Sequence, residues 1–488
     1  MRVNRNSIIW LAVAALAFTL AVLLFTPLRM SLGWDETVYA SQISKHVPAM
    51  QWSAERARGV SLLVAPVTLL TDWAVVLRVY LALLAGVGLF LALLAWRGLK
   101  PAWVLALSGL IFGGLGITQL LASQLFPNFW IALGGLAAVG LFLQGLTEGM
   151  RPRLVLILLA LAVAFTALMR PVDAVFISVP LMAAAVVQLA RRSMVRRSIG
   201  LLIAIIAGLA VGGGEWLIES YIYFKDPFTR LHASARVVGG TKFDPVNSLR
   251  IINGGRDSSV KFYPGVSGWS HPRLLVWWFA FLVLALLGVY VASRARGWLF
   301  AVVPAACALS VYVLYALPVR DNARYLLPIW ALLSVPAAEG LGWLITQSKS
   351  RMRLAAVTAV AVFLAAEVTT QHAILDSLVA PLESAASANM NAADALQQLG
   401  VRAPCVITSV KRPNFAVVSE PAAFYSGCSY AWGLRYLPKH GHSRVAVLVL
   451  GNRPPWRYAR QWPAHRLGGS GVFAYLQPAP PGSAIDPG

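Results

Sequence analysis

Two adjacent carboxylates, Asp35 and Glu36, stand out in the segment Gly-Trp-Asp-Glu-Thr-Val-Tyr at residues 33–39. They follow a long apolar segment by only a few residues, and the surface of an anionic membrane disfavours additional negative charge. Two interpretations are open. The acids could stabilise the positive end of a helix that begins there. Alternatively, one of them could act as a general base, because a low-dielectric boundary disfavours the ionised form of a carboxyl group.

The acid pair lies in a longer polar segment, residues 28–72, which also carries basic and aromatic side chains. Candidates for substrate contact in this segment are Tyr39, Glu55 and Arg58. An apolar stretch at residues 59–66 is too short to span a bilayer and is expected to lie in the membrane interface. The sequence contains no Cys/His metal cluster, but oxygen ligands near the acid pair could bind one divalent cation.

The composition indicates a membrane protein. The chain has 488 residues, of which 58% are hydrophobic and 12% are charged, whereas soluble domains average about 25% charged residues. Disordered chains have low hydrophobicity, so that class is excluded, and a soluble enzyme would lack the polar residues to cover its surface. A net charge of +22 would otherwise suggest nucleic-acid binding, but no nucleic-acid partner is expected for so apolar a chain.

Eleven apolar segments are long enough to cross a bilayer as helices. They lie at residues 8–27, 73–96, 102–121, 128–147, 154–170, 174–190, 199–221, 273–292, 298–317, 326–345 and 354–370. The first is longer than the apolar core of a signal peptide and is expected to be a retained anchor. The sequence therefore predicts a polytopic α-helical membrane protein with about eleven transmembrane helices.

The Lys and Arg residues between these segments predict the orientation. With a cytoplasmic N-terminus, every inner connection carries at least two basic residues, and fifteen of the 41 in the chain lie on that side. This distribution follows the positive-inside rule. We expect a multi-pass protein of the plasma (inner) membrane, with two long outer loops at residues 28–72 and 222–272.

After a transmembrane domain at residues 1–370, the chain predicts a small extracytoplasmic α/β domain at residues 371–477. A Pro/Gly-rich tail at 478–488 is expected to be disordered. The predicted elements are a helix at 384–399 capped by Gly400 and strands at 405–410, 415–419, 444–450 and 472–476. Cys405 and Cys428 lie in this region, on the oxidising side of the membrane, which favours a disulfide between them over free thiols.

Several arginines stand at the predicted outer ends of the apolar segments, where the positive-inside rule expects few. Arg78 could bind a lipid phosphate or extend to the outer surface. Arg320 and Arg324 flank Asp321-Asn322 in a short outer loop. Arg324 could bind a phosphate in bidentate geometry or pair with Asp321. Arg170 could contribute to a site or pair with Asp173.

The order and position of these motifs resemble the GT-C superfamily of integral-membrane glycosyltransferases, nearest to its branch of protein O-mannosyltransferases and aminoarabinose transferases. Members of that branch have a long first outer loop with an Asp-Glu-x-x-Tyr element, which is similar to residues 35–39. Arg170-Pro171 at the end of one span and Arg324-Tyr-Leu-Leu-Pro at the start of a late one also match. The sequence after Arg58 departs from the Lys-Pro-Pro or His-Pro-type element that many members have there.

The resemblance implies an enzyme that transfers a sugar from a polyprenyl-phosphate-linked donor to an acceptor hydroxyl, on the outer face and by single-step inversion. The acceptor could be a glycan, a lipid or a protein. Matched by position, Asp35 is the catalytic base with Glu36 beside it. The donor phosphate would contact Arg324, Arg320 and Arg78, and the substrates would contact Tyr39, Glu55, Arg58, Arg170 and Tyr325.

Two other classes of protein stay open. Lipid or solute transporters usually show internal repeats and ionisable groups in the middle of the membrane. This sequence shows no repeat, and its acidic residues within spans lie toward helix ends. The second class is a non-catalytic scaffold whose outer domain binds a cell-wall polymer.

Overall fold

The computed structural model describes residues 5–147, 152–192, 194–237, 272–316, 323–347, 350–409, 416–431, 444–450, 459–467 and 471–478. The chain divides into two compact units. The first, called the helical unit, comprises Met1–Thr26, Ser53–Val60 and Val79–Val379. The second, called the mixed unit, comprises Pro27–Trp52, Ser61–Arg78 and Ala380–Gly488.

Helices account for most of the described chain. In order they are α1 (Arg5–Phe25), α2 (Trp34–Ser41), α3 (Gly59–Thr68), α4 (Ala74–Leu94), α5 (Ala102–Gly113), α6 (Gly116–Ala122), α7 (Pro127–Gly145), α8 (Pro152–Met169), α9 (Pro171–Ala190), α10 (Val195–Tyr223), α11 (Pro227–Val237), α12 (Pro272–Arg296), α13 (Trp298–Ala316), α14 (Leu327–Gln347), α15 (Ser350–Gln398) and α16 (Ala416–Ser426). A short 3₁₀ helix, Ala323–Leu326, precedes α14.

The predicted polytopic helical fold is confirmed. Within the described residues, nine helices are long and apolar enough to cross a membrane, and the number is ten if the bent pair α5 and α6 forms one span. That pair bends by 82° and corresponds to the predicted span at 102–121. The eleventh predicted span, residues 354–370, forms the first part of α15. The orientation of the spans stays a prediction.

Close helix contacts in the helical unit depend on small residues. Among the candidate spans of the described residues, α7 is the most buried, since 89% of its most apolar 18-residue stretch lies inside the protein. Helices α8 and α10 pack against each other at Gly212, where an added Cβ would lie 2.0 Å from the backbone oxygen of Ala164. Large apolar side chains such as Val211 and Leu161 are exposed on the outside of these helices, as expected for surfaces that face lipid.

The mixed unit contains a five-stranded sheet in the order β2-β1-β3-β5-β4. The strands are β1 (Cys405–Ser409), β2 (Ser429–Ala431), β3 (Arg444–Leu450), β4 (Ala464–Leu467) and β5 (Val472–Leu476). Strand β1 pairs in parallel with β2 and β3, whereas β5 pairs antiparallel with β3 and β4. Cys405 and Cys428 form a disulfide, as predicted. The sheet, with α16 packed against β1, confirms the predicted small α/β region.

In the C-terminal region, the helix predicted at 384–399 and its cap at Gly400 are confirmed, whereas one of the predicted strands is wrong. Helix α15 ends at Gln398. Gly400 follows it with a φ of +76°, and Val401 N–H donates to the Leu396 carbonyl at 2.9 Å, as in a Schellman cap. The strand predicted at residues 415–419 is wrong, because α16 occupies Ala416–Ser426. Local β-branched residues favoured a strand there, and packing against α2 and β1 favours the helix instead.

The domain boundary predicted between residues 370 and 371 lies inside the continuous helix α15. The compact units also divide the chain differently from the prediction, since two parts of the first outer loop belong to the mixed unit together with the C-terminal region. Contacts between segments hundreds of residues apart produce this grouping, and local sequence does not encode them. Most of the predicted loop at 222–272, and residues 479–488 of the predicted tail, lie outside the described residues.

Candidate active site

The acid pair lies in the first turn of α2, as one of the two interpretations predicted. Gly33 precedes the helix in an extended conformation, and Oε2 of Glu36 accepts a hydrogen bond from the Gly33 N–H at 2.9 Å. The positive helix end favours both carboxylates electrostatically. Glu36 is buried, whereas Asp35 is half-buried. The helix-start interpretation therefore accounts for Glu36 and leaves the base interpretation of Asp35 open.

Glu36 forms a buried two-point ion pair with Arg78. The two guanidinium nitrogens Nη1 and Nη2 lie 3.1 and 3.0 Å from the two carboxylate oxygens, and Arg78 is only 1% exposed. Arg78 also donates to the carbonyl oxygens of Met30 and Ser31, at 2.9 and 3.1 Å. Arg78 therefore does not extend to the surface. The phosphate contact predicted for it would require this buried pair to be broken.

Replacing Arg78 with Met is expected to destabilise the protein by about 3–5 kcal/mol, because Glu36 would be left as a buried charge without its ion partner. The double variant Arg78→Met/Glu36→Gln is expected to recover much of this loss, since it removes the charge as well. Thermal unfolding in detergent measures both effects. The exposed Arg402 supplies the control, Arg402→Met, and equal melting temperatures for this control and Arg78→Met would contradict the assignment.

Helix α16 holds the segment that carries Asp35. The indole nitrogen of Trp34 donates to Oε2 of Glu420 at 2.6 Å, and Leu32 N–H donates to the Tyr425 hydroxyl at 2.5 Å. Glu420 is only 1% exposed. Burial, the main cause, raises the pKa of Tyr425 to about 12, so this hydroxyl stays protonated at neutral pH. Sequence reasoning missed Glu420 and Tyr425, because both lie far from α2 in the chain.

Substituting Trp34 with Phe is expected to cost about 1.5–3 kcal/mol of stability, because the hydrogen bond that it removes ends on a buried carboxylate. Glu420→Gln keeps an acceptor oxygen for the indole and is expected to cost less. Both are measured as shifts in melting temperature. If Trp34→Phe melts at the wild-type temperature, this hydrogen bond does not hold α2.

Tyr39, which was predicted to contact substrate, is buried within the mixed unit. Its ring lies 5.7 Å from the ring of Trp52 in an edge-on arrangement, and its carbonyl oxygen accepts a hydrogen bond from Ser61 at 2.9 Å. These contacts link α2 to the start of α3. They show a packing role for Tyr39, and its predicted contact with substrate stays a prediction.

In the helical unit, three of the predicted site residues meet around one aromatic ring. The guanidinium carbon of Arg170 lies 5.2 Å from the centre of the Tyr325 ring, and that of Arg324 lies 5.4 Å from it. Arg324 also lies 4.7 Å from the centre of the Phe126 ring. Cation–π contacts of this kind hold a guanidinium over the face of an aromatic ring. We call Arg170, Arg324 and Tyr325 the arginine–tyrosine cluster.

A buried carboxylate supports one side of this cluster. Asp173, in the first turn of α9, lies 3.7 Å from Arg170 and accepts a hydrogen bond from the Tyr315 hydroxyl. The Tyr315 ring in turn lies 5.0 Å from that of Tyr325. Arg170 therefore pairs with Asp173, as one of its two interpretations predicted, and its contribution to a substrate site stays a prediction. The planar guanidiniums of Arg170 and Arg324 are of the kind that suits bidentate phosphate binding.

Arg58 belongs to a second charged network in the helical unit. Its Nε lies 2.7 Å from Oε1 of Glu219, and Arg230 reaches the other oxygen of Glu219 at 3.2 Å. Arg230 is fully buried and donates to the carbonyls of Ala54 and Arg56 at 3.1 and 2.8 Å. Burial lowers the pKa of Arg230 and Glu219 opposes this shift. Sequence reasoning missed Arg230, because its partners come from two distant segments.

Glu55 and Arg320 are the remaining predicted site residues. Glu55 accepts a hydrogen bond from Ser53 at 2.7 Å and lies 3.8 Å from Arg56, so it is part of a local turn. Arg320 lies outside the described residues.

Within the described residues no group of three or more metal-binding side chains is found, and Arg78 and Gly33 engage both oxygens of Glu36. The divalent cation predicted near the acid pair stays a prediction. Both carboxylate oxygens of Glu36 already accept hydrogen bonds.

Comparison with known proteins places the fold. No protein-family model matches the chain, and no curated protein sequence does. The structure is similar to that of ArnT from Cupriavidus metallidurans bound to undecaprenyl phosphate, with a TM-score of 0.66 and 13% identity over 97% of this chain and 98% of that one. The apo form of the same ArnT gives a TM-score of 0.63 at 14% identity, over 96% and 97% of the two chains.

A second solved protein with this fold is the archaeal oligosaccharyltransferase AglB from Archaeoglobus fulgidus, in complex with an inhibitory peptide and a dolichol-phosphate. Its TM-score is 0.54 at 11% identity, over 87% of this chain and 64% of that one. ArnT and AglB are both GT-C membrane glycosyltransferases, and the likeness to ArnT extends over nearly the whole of both chains. The chain therefore has the GT-C fold, as its sequence motifs predicted.

Proposed function

We propose that this protein is a membrane glycosyltransferase that moves a sugar from a polyprenyl-phosphate-linked donor to a hydroxyl group of an acceptor. The observation that carries the proposal is the likeness to ArnT, which covers 97% of this chain and whose structure has undecaprenyl phosphate bound. The order of motifs along the sequence gives independent support. By the sequence prediction of orientation, the reaction takes place on the outer face of the plasma membrane.

In this proposal Asp35 is the general base. Its carboxylate accepts the proton of the acceptor hydroxyl, while the hydroxyl oxygen attacks the anomeric carbon of the donor sugar. The new glycosidic bond forms as the bond from that carbon to the phosphate oxygen breaks, and polyprenyl phosphate leaves with the bonding electrons. Attack opposite to the leaving group would invert the anomeric centre. Glu36 does not compete for the proton, because Arg78 holds it as an ion pair.

The arginine–tyrosine cluster is the proposed contact for the donor phosphate. Negative charge grows on the leaving phosphate during the reaction, and preorganised donors aimed at such charge contribute strongly to catalysis. Arg324 and Arg170 face the same Tyr325 ring, which fixes both guanidiniums before the lipid binds. Asp173 neutralises part of the charge on Arg170. Arg324 is accordingly the stronger candidate for phosphate binding.

Analysis of the cell envelope tests the proposed function. Mass spectrometry of lipid and glycan extracts from a deletion strain is expected to show a glycan or glycolipid that lacks one sugar residue. Complementation with the wild-type gene should restore that residue, whereas complementation with Asp35→Asn at equal protein level should not. Restoration by Asp35→Asn would contradict the base assignment. An unchanged envelope in the deletion strain would contradict sugar transfer to a glycan or lipid acceptor.

A further inference from the structure

A large open cavity lies entirely within the mixed unit. Its volume is about 1010 Å³, which is at the upper end of the range for pockets that bind small ligands. Residues from the first outer loop, from α15 and from the end of α16 form its walls. The proposed chemistry does not use this space.

One wall of the cavity is a row of polar side chains on α15. Glu383, Ser387 and Asn391 line the cavity and are exposed. Successive members are four residues apart, so they lie on one face of the helix. At 1.5 Å of rise per residue, the row extends over about 12 Å, which is longer than one sugar ring. A carboxylate, a hydroxyl and an amide in line match the hydrogen-bonding groups of a chain of sugars.

The first outer loop supplies charges of both signs to the cavity. Arg29 and His46 line it together with Asp72, and Asp72 accepts a hydrogen bond from Ser44 at 2.8 Å. With Glu383 on the α15 wall, two carboxylates oppose one guanidinium and one imidazole. This balance disfavours a strongly anionic ligand. The cavity is therefore chemically unlike the arginine–tyrosine cluster and suits a ligand that is rich in hydroxyl groups.

Residues at the end of α16 complete the lining, among them Tyr425 and Ser426. Ser426 is 6% exposed, and its Oγ has no hydrogen-bond partner among the described residues. Tyr425, whose hydroxyl accepts a hydrogen bond from Leu32 N–H, also lines the cavity.

The cavity also borders the start of a span. Trp73 and Val75 line it and are 75% and 41% exposed, and α4 begins at Ala74. Tryptophan at the end of a span is typical of the membrane–water interface, and a flat indole ring can stack on a sugar. A ligand whose polar head fills the cavity could keep its apolar part in the adjacent membrane.

We propose that this cavity binds the glycan head of a membrane-anchored acceptor, the substrate whose hydroxyl is glycosylated. The assignment to the acceptor rests on the proposed function. Two wall residues connect the cavity to the base helix, since Met30 and Ser31 line it and their carbonyls accept hydrogen bonds from the guanidinium that pairs with Glu36. A bound head group would thus lie against the segment that leads into α2.

Protection of an introduced thiol tests the site without any donor or transfer assay. Of the three native cysteines, two form the disulfide and Cys307 is buried, so the thiol of Asn391→Cys would be the accessible target for a maleimide. Asp394→Cys is the matched control, because Asp394 is exposed on the same helix and is not part of the cavity wall. The probes are nanodiscs of phosphatidylcholine with and without diglucosyl diacylglycerol.

We expect the glycolipid nanodiscs to slow labelling of Asn391→Cys about tenfold at a ligand concentration ten times its Kd, because only the unbound fraction reacts. Labelling of Asp394→Cys should not change. Adding Trp73→Ala to Asn391→Cys should remove the protection, whereas adding Leu70→Ala should retain it, since Leu70 is 78% exposed but lies outside the cavity wall.

Equal protection by plain phosphatidylcholine would overturn the proposal, because the cavity would then accept a phospholipid head. Protection by free maltose but not by the glycolipid would overturn the membrane-anchored acceptor in favour of a soluble glycan. No protection by any probe would overturn the carbohydrate class. Protection of Asn391→Cys in a protein for which no sugar transfer is found would leave the site intact and would instead contradict the proposed function.

Discussion

Asp35→Asn is expected to lower the rate of sugar transfer by about 10²–10⁴-fold, the usual contribution of a general base. Asparagine has nearly the same shape as aspartate, and it can still favour the start of α2, but it cannot accept the proton of the acceptor hydroxyl. The loss should therefore appear in kcat, with little change in donor binding or in melting temperature. Initial rates with a labelled donor in proteoliposomes measure the effect.

The control for this variant is Asp394→Asn, which neutralises an exposed aspartate of α15 and should leave the rate unchanged. The neighbouring acid offers a sharper contrast. Glu36→Gln weakens the ion pair with Arg78 and is expected to lower stability before it affects chemistry. A wild-type rate for Asp35→Asn, or equal losses of stability for the two acid variants, would contradict the division of roles within the acid pair.

Arg324→Ala is expected to lower kcat by about 10²–10³-fold, which is the typical cost of removing one donor that stabilises developing negative charge. Arg324→Lys should recover only part of this loss, because an ammonium group cannot form a planar, bidentate contact with phosphate. It also cannot reproduce the stacking of the guanidinium on Phe126 and Tyr325. Rates are compared at saturating donor, and donor affinity is measured separately.

A matched control exists for the arginine substitution. Arg294 also lies over an aromatic ring, that of Tyr290, at 5.3 Å from its centre, but it stands at the predicted inner end of its helix. Arg294→Ala should therefore keep the wild-type rate. If Arg324→Ala transfers sugar as fast as Arg294→Ala, the arginine–tyrosine cluster does not contact the leaving phosphate.

Local signals in the sequence predicted a large part of this structure. The length of the apolar segments predicted the positions of the spans, because a helix in a bilayer must satisfy its own backbone hydrogen bonds. The acid pair marked the start of α2, and the glycine at position 400 marked the end of α15. The cysteine pair was predictable because only two of the three cysteines lie in the part expected outside the cytoplasm.

Features that depend on contacts between distant segments were not predictable. Glu420 accepts a hydrogen bond from the Trp34 indole, yet the β-branched residues just before it indicated a strand. Arg230 joins Glu219 to the carbonyls of a different segment, and no local pattern marks it. The same limit applies to Arg78, for which an apolar neighbourhood suggested lipid phosphate, although its partner Glu36 lies 42 residues earlier.

The contacts of α16 give the C-terminal region a role that its sequence did not reveal. Through Glu420 and Tyr425 it holds the segment that leads into α2. The disulfide joins Cys428, the second residue after α16, to Cys405 at the start of β1. In the proposed enzyme this region would position the base and, through the cavity, the acceptor. Trp34→Phe and the thiol-protection experiment test these two roles separately.

The most direct test of the central claim is the fate of a labelled polyprenyl-phosphate-sugar incubated with the purified, folded protein and an extract of acceptor lipids in proteoliposomes. The proposed function predicts that the labelled sugar moves to the acceptor fraction and that an equal amount of polyprenyl phosphate is released. It also predicts that Asp35→Asn lowers the rate at which both products form by about 10²–10⁴-fold. Donor that crosses the bilayer intact, with no release of polyprenyl phosphate, would contradict a glycosyltransferase and would favour a transporter.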